Sequence, residues 1–265
     1  MIRKEENMKL ENKVCVVTGG AMGNGLGIVK VFLKYGAYVA VLDYDDKVNE
    51  LRSTYGERVF GYKVDIRDNL KVKEAINDVV SKFNHIDVLV NNAGVCRLDG
   101  FENMTDEVRD FHFDINIKGT WNVTKACLPY MKNINGSIVN LSSVTGPLVA
   151  DPGEVAYATT KGAVLAFTKA CAAEFVQYKI RVNAIMPGYV HTPMVDSIAK
   201  STNSDNPQEV IDGITKGIPM GRMGTIEELG ELAAFLASSE SSYITGQGIV
   251  LDGASTLPET MVVGN

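Results

Sequence analysis

The sequence has 265 residues, of which 45% are hydrophobic and 22% charged, with a net charge of −6 and a pI near 5.2. That length suits a single α/β domain that buries its core without staples. The acidic balance excludes the basic face that nucleic acid or an anionic membrane requires, so the expected partner is a small molecule.

The first thirteen residues, MIRKEENMKLENK, are charged and lack the apolar segment of a secretory signal. No run approaches the ~18 apolar residues of a membrane helix. A cytoplasmic protein is expected, with residues 1–8 a flexible extension and 9–265 one domain. Cys15, Cys96, Cys127 and Cys171 lie far apart without metal-ligand or redox spacing, so no metal is expected.

In chain order, KVCVVTG (13–19) is a short β-branched run ended by glycine, a buried strand. LGIVKVFLKYGA has helical spacing and stops at Gly36. YVAVLD (38–43) and RVFGYKVD (58–65) read as strands two and three. NLKVKEAINDVVSKF reads as an amphipathic helix, and IDVLVNNAG (86–94) as strand four. GSIVNLSS (136–143), IRVNAIMPG (180–188) and GQGIVLDGA (246–254) complete seven. Strands apolar on both faces that alternate with helices imply a doubly wound parallel sheet of Rossmann type, with helices on both faces. Residues 189–224 break the rhythm, with polar STNSDNPQ between apolar flanks. A substrate lid is expected there; a solvated insertion is the other reading.

TGGAMGNGLG follows the first strand and opens a helix. Gly19, Gly23 and Gly25 let the backbone approach a pyrophosphate, with Met22 and Asn24 between them. Asp43 ends strand two, twenty residues after Gly23. Its carboxylate can accept from ribose hydroxyls and repels a 2′-phosphate, which favours NAD(H) over NADP(H). A strand-end cap is the alternative for Asp43 and for Asp65.

YATTK puts Tyr157 and Lys161 four residues apart on one helix face. Alone, the pair also describes a helix that turns a ring to the core and a charge to water. At ~4 Å and an effective dielectric near 20, an ammonium stabilises a phenolate by roughly 4 kcal/mol. That lowers a tyrosine from about 10 to about 7, where a general acid/base works. Ser143 ends strand five at the same sheet edge, placed to hold a substrate oxygen or simply to form a turn.

With TGGAMGNG, NNAG (91–94), Asn116 in DINIKG, SSVTG, YATTK and PGYVHT (187–192), the chain resembles the short-chain dehydrogenase/reductase family from about residue 9 to 253. NNAGVCRL, VADPGE and STLPET narrow the resemblance to one group of oxidoreductases within it. The resemblance implies that Tyr157 is the acid/base, Lys161 lowers its pKa and binds the nicotinamide ribose, and Ser143 orients the substrate. It implies that Asn116 holds a relay water to Lys161. Asn92, Ala93 and Gly94 would support the sheet and the adenosine ribose, and Asp65 with Ile66 the adenine. Pro187, Gly188, Val190 and Thr192 would line the nicotinamide side, and His191 and Met194 would meet the substrate. It further implies a homotetramer or homodimer; the apolar tail TLPETMVVGN suits packing on a neighbour, with a frayed end the other reading.

There are two departures. Asn24 replaces a usual apolar residue. Ser143 and Tyr157 are fourteen positions apart where thirteen is common, which makes Ser142 a rival. The expected activity is NAD(H)-dependent interconversion of a secondary alcohol and a ketone, on a hydroxysteroid or similar hydrophobic substrate. A small diol, polyol or sugar alcohol is the alternative, and a non-catalytic dinucleotide sensor the second.

Overall fold

The computed structural model describes residues 8–257. The expected extension therefore falls, apart from Met8, outside the described residues, as does the tail from 258. Met8 itself sits in a turn, its carbonyl accepting from the Glu11 amide at 3.0 Å.

Among the described residues, seven parallel strands form one sheet in the order β3-β2-β1-β4-β5-β6-β7. They are β1 (Val14–Thr18), β2 (Tyr38–Asp43), β3 (Val59–Lys63), β4 (Val88–Asn91), β5 (Ser137–Leu141), β6 (Arg181–Pro187) and β7 (Gly248–Leu251). All seven expected strands are present, and β2 has the expected bounds. The others are shorter at their ends, where the chain turns toward the site. β1, β4 and β5 are buried throughout. That is why their sequences are apolar without alternation.

The helices are α1 (Gly23–Lys34), α2 (Leu51–Tyr55), α3 (Asn69–Phe83), α4 (Asp106–His112), α5 (Thr120–Cys127), α6 (Val155–Phe175), α7 (Pro193–Thr202), α8 (Pro207–Lys216) and α9 (Ile226–Ala237). A π-helical turn, Phe113–Gly119, joins α4 to α5. α3 starts where Asp68 accepts from the Leu70 and Lys71 amides and ends at Asn84, in the left-handed conformation. α9 begins with a reciprocal cap between Thr225 and Glu228.

Two cores cover the sheet. On one face Ile28, Phe32 and Leu229 join Val17, Val41 and Val139. On the other, Ile76, Val123, Cys127 and Phe175 pack with Val16, Leu89 and Ile138. Each such large apolar side chain contributes about 1.5–3 kcal/mol by leaving water. Residues 189–224 fold back as α7 and α8, joined at the polar centre. Their inner side has its own small core of Val195, Ile218 and Met223. No helix among the described residues is long and apolar enough to cross a membrane.

β1 lies between β2 and β4, so the connections leaving β1 and β4 diverge. Such a switch point opens a crevice at the carboxyl ends of the strands. The candidate site lies there.

Candidate active site

A cavity of about 970 Å³ runs along the carboxyl ends of β1 to β6, under α7 and α8. That is the upper end of the roughly 300–1,000 Å³ usual for small-molecule sites. At one end β1 runs into Gly19, whose φ is +64°. A Cβ there would lie 2.8 Å from the Ala93 Cα, so the loop needs glycine. Gly19, Met22, Gly23 and Asn24 line the cavity. Gly25 does not. Its Cβ would lie 2.0 Å from the Gly19 carbonyl oxygen, so its work is to let α1 close on the loop. The Asn92 amide fixes the loop by donating to the carbonyls of Thr18 at 3.0 Å and Gly19 at 2.9 Å.

Asp43 is clamped at the end of β2. One carboxylate oxygen accepts from the Ala21 amide and the other from the Asp45 amide, both at 2.9 Å. Asp65, Ile66, Asn92, Ala93 and Gly94 line the same end. Asp65 is paired with Arg67 at 2.6 Å, and that side-chain hydrogen bond holds its carboxyl below the usual range. Asn24 carries a buried Oδ1 with no hydrogen-bond partner among the described residues. An unmet buried polar atom costs about 1–3 kcal/mol. A glycine-built cradle, an unmet polar atom in its wall and a fixed carboxylate twenty residues on fit a nicotinamide dinucleotide.

At the other end Ser143, Tyr157 and Lys161 share the wall. α6 presents Tyr157 and Lys161 one turn apart, and β5 delivers Ser143. The Ser143 oxygen accepts from the Thr145 amide at 3.1 Å, and Ser143 and Tyr157 line the cavity together. Ser142 also lines the cavity, but its hydroxyl is engaged, donating to the Lys161 carbonyl at 2.7 Å. The extra position before Tyr157 is thus taken up by the loop closed through Thr145 and Val149, and Ser143 keeps its place.

The electrostatics differ from the sequence expectation. Lys161 is buried and donates its ammonium to the Leu141 carbonyl at 2.8 Å. It stands 5.6 Å from the centroid of the Tyr157 ring. Burial pushes Lys161 down to about 8. Burial also pushes Tyr157 up, against a smaller opposing effect from Ser143. Tyr157 is therefore not lowered toward 7. Desolvation of the phenolate is the largest influence on it.

Other expected residues divide. Pro187, Gly188, Val190, Thr192 and Met194 line the cavity. His191 does not; its ring meets Asp196 at 3.2 Å on the exposed side. Asn116 is buried outside the cavity wall. Its amide donates to the Val95 carbonyl at 3.0 Å and to the Thr160 hydroxyl at 2.9 Å, and its oxygen accepts from the Val95 amide at 2.8 Å. In the structure Asn116 is a clip between the π-helical turn, the chain after β4 and α6. His112 is also buried, accepting from the Arg97 amide at 3.0 Å, as a packing residue does. The sequence reading passed over Cys96, Asp151, Glu154 and Tyr189, which line the substrate end. Burial pushes the Cys96 thiol up to about 11. For Glu154 the signal was its position three residues before Tyr157.

A phosphate-loop cradle, a clamped carboxylate and a hydroxyl pair above a buried lysine define the class of oxidoreductases that use a nicotinamide dinucleotide. The comparisons agree. The family model described as enoyl-(acyl carrier protein) reductase matches residues 19–256. Oxidoreductase UcpA of Salmonella typhimurium is 52% identical over 260 residues, covering 97% of this chain and 99% of that one. 3-Oxoacyl-[acyl-carrier-protein] reductase FabG of Thermotoga maritima is 41% identical over 252 residues, covering 93% and 98%. The ligand-free aldohexose dehydrogenase of Thermoplasma acidophilum superposes with a TM-score of 0.88 at 30% identity, covering 97% and 98%. The chain belongs to the short-chain dehydrogenase/reductase family.

The Asn116 clip makes a prediction. Asn116→Ala leaves the half-buried Val95 amide and carbonyl without their partner and takes a bond from the Thr160 hydroxyl, at about 1–3 kcal/mol for each group left unmet. Thermal unfolding should show a midpoint at least ~5 °C lower, at about 2–4 °C per kcal/mol for a domain of this size. An unchanged midpoint would contradict the structural role.

Proposed function

We propose that the protein is an NAD(H)-dependent oxidoreductase that interconverts a secondary alcohol and a ketone. The observation that carries the reading is the placing of Ser143, Tyr157 and Lys161 in the same cavity as the Gly19 loop and Asp43. When bound, the dinucleotide supplies the hydride chemistry. Gly19, Met22, Gly23 and Asn24 would hold its pyrophosphate, Asp43 its adenosine ribose, and Asp65 with Ile66 its adenine. Lys161, Pro187, Gly188, Val190 and Thr192 would hold its other end.

Asp43 supports NAD(H) because a fixed negative charge there repels a 2′-phosphate. Arg67, the nearest cation on that wall, is already matched by Asp65. Ser143 would hold the substrate oxygen. Tyr157, protonated at neutral pH, would give that oxygen its proton as a ketone is reduced. Alcohol oxidation needs the phenolate, so it should gain rate as pH rises toward the raised Tyr157 pKa.

Two substrate readings have support. Tyr189, Met194, Val195, Ile198, Ile214 and Ile218 form an apolar wall under a lid at residues 189–224, which suits a hydroxysteroid or similar bulky alcohol. Asp151 and Glu154 in the same cavity suit a small diol, polyol or sugar alcohol. The fold similarity to an aldohexose dehydrogenase favours this second reading.

A panel of steroid, sugar and small ketones with NADH or NADPH tests the reading at the nicotinamide absorbance band. NADH should be oxidised at least ~10-fold faster than NADPH, and oxidation of the product alcohol should speed up from neutral to alkaline pH. Tyr157→Phe should lower kcat by about 10²–10⁴ while NADH binding holds. Activity that survives Tyr157→Phe would sink the mechanism. NADH binding without turnover of any ketone would leave the sensor reading instead.

We propose also that the chain assembles as a homotetramer or homodimer. The outward side of α6 is small and apolar, with Ala166, Ala170 and Ala173 exposed. Beside it Trp121 is 56% exposed, with its ring 5.2 Å from Phe167. Sedimentation equilibrium should show an oligomer that Trp121→Glu dissociates; a monomer at micromolar concentration would refute the assignment.

A further inference from the structure

Glu154 stands three residues before Tyr157, at the position that caps α6. A residue there ordinarily uses its side chain to accept from the first amides of the helix. Glu154 makes no such bond among the described residues. The fold therefore does not depend on its carboxylate for the helix start. Instead the side chain lines the cavity with Ser143, Tyr157 and Tyr189.

Thr145 lies beside it and favours its charged form. The Oε2 atom is buried and has no partner among the described residues. Burial, with Asp151 nearby, raises the carboxyl above its ordinary range, as expected for an oxygen left unsolvated. Tyr157, Tyr189 and Cys96 all sense its charge, which places it among the groups of the substrate end.

A carboxylate only accepts, so its counterpart must bring an O–H or N–H. Residues three apart at a helix start lie on one face about 5–6 Å apart. With the reacting oxygen held at Tyr157 and Ser143, Glu154 reaches a group on a neighbouring carbon. An ammonium there would lie close to the cation of Lys161, which is 5.6 Å from the Tyr157 ring. A neutral hydroxyl meets no such repulsion.

We propose that Glu154 is a specificity-determining residue that accepts a hydrogen bond from a hydroxyl on the carbon next to the reacting one. The substrate is then a vicinal diol, and its product the hydroxyketone. The proposal rests on the alcohol–ketone reading above, and it selects the polyol class over a steroid whose neighbouring ring carbons carry only C–H.

The test uses matched alcohols with NAD⁺: butan-2-ol against butane-2,3-diol, and cyclohexanol against cyclohexane-1,2-diol. 2-Aminocyclohexanol and a hydroxysteroid complete the panel. The wild-type protein should favour each diol over its mono-alcohol in kcat/KM by at least ~10-fold, because a site built to bond a hydroxyl rejects the analogue without it. Glu154→Leu should bring that ratio to within about 3-fold of one. Glu154→Gln, whose amide oxygen still accepts, should keep part of it. NADH binding, read by fluorescence, reports that each variant is folded.

Equal use of diol and mono-alcohol by the wild type would overturn the proposal, as would a ratio unmoved in a folded Glu154→Leu. Preference for the amino alcohol would overturn the hydroxyl assignment. Oxidation of the hydroxysteroid alone would overturn the proposal while the enzyme reading stands. Turnover of no alcohol at all would remove that reading, and the proposal with it.

Discussion

The site depends on an ammonium kept out of water. Lys161 is 5% exposed, with its charge set against the Leu141 carbonyl at the end of β5. Taking an ammonium out of water is costly, and the chain meets that cost with bonds that also set positions. The Ser142 hydroxyl binds the Lys161 carbonyl, and Thr160 beside Lys161 receives the Asn116 amide. These bonds lock the first turns of α6 onto β5 and the π-helical turn. Tyr157 and Ser143 inherit a fixed relation from that lock, and the cavity inherits one rigid wall.

The two ends of the cavity are made differently. The dinucleotide end is made by backbone. Gly19 bends where other residues clash, the Asn92 amide pins two carbonyls, and two amides hold Asp43. The substrate end is made by side chains from β5, α6, the loop after β6 and the hairpin of α7 and α8. A backbone cradle admits one kind of ligand, whereas a side-chain wall is changed by single substitutions. This division is why one family shares a cofactor chemistry across many substrates.

It also explains what the sequence disclosed. Glycines in a strand–turn–helix context have few other uses, so the Gly19–Asn24 loop was legible. So were the strands, because burial on both faces leaves unbroken apolar runs, and α3, which has a cap at each end. Other assignments turned on contacts between distant positions. Gly25 lies in the glycine motif yet touches the Gly19 carbonyl rather than the cavity. His191 belongs to a lining loop, but its ring faces Asp196. The Asn116 amide donates to the Val95 carbonyl and the Thr160 hydroxyl, 21 and 44 positions away. Glu154 carried no signal beyond its place three residues before Tyr157, and only the fold puts it among the residues lining the cavity. For Tyr157 and Lys161, spacing reports that positions i and i+4 are neighbours but not the solvent lost by both groups, and burial is the largest influence on each.

In the protein by itself, burial is the largest influence on both Lys161 and Tyr157. Carbon-13 NMR titration of labelled lysine and tyrosine, with Lys161→Met and Tyr157→Phe to assign the signals, reads both groups directly. The account predicts that Lys161 titrates near 8 and that Tyr157 stays protonated beyond the ordinary tyrosine value of 10. A lysine titrating at its ordinary 10.5 with a tyrosine ionising near 7 would contradict it and restore the simple pair.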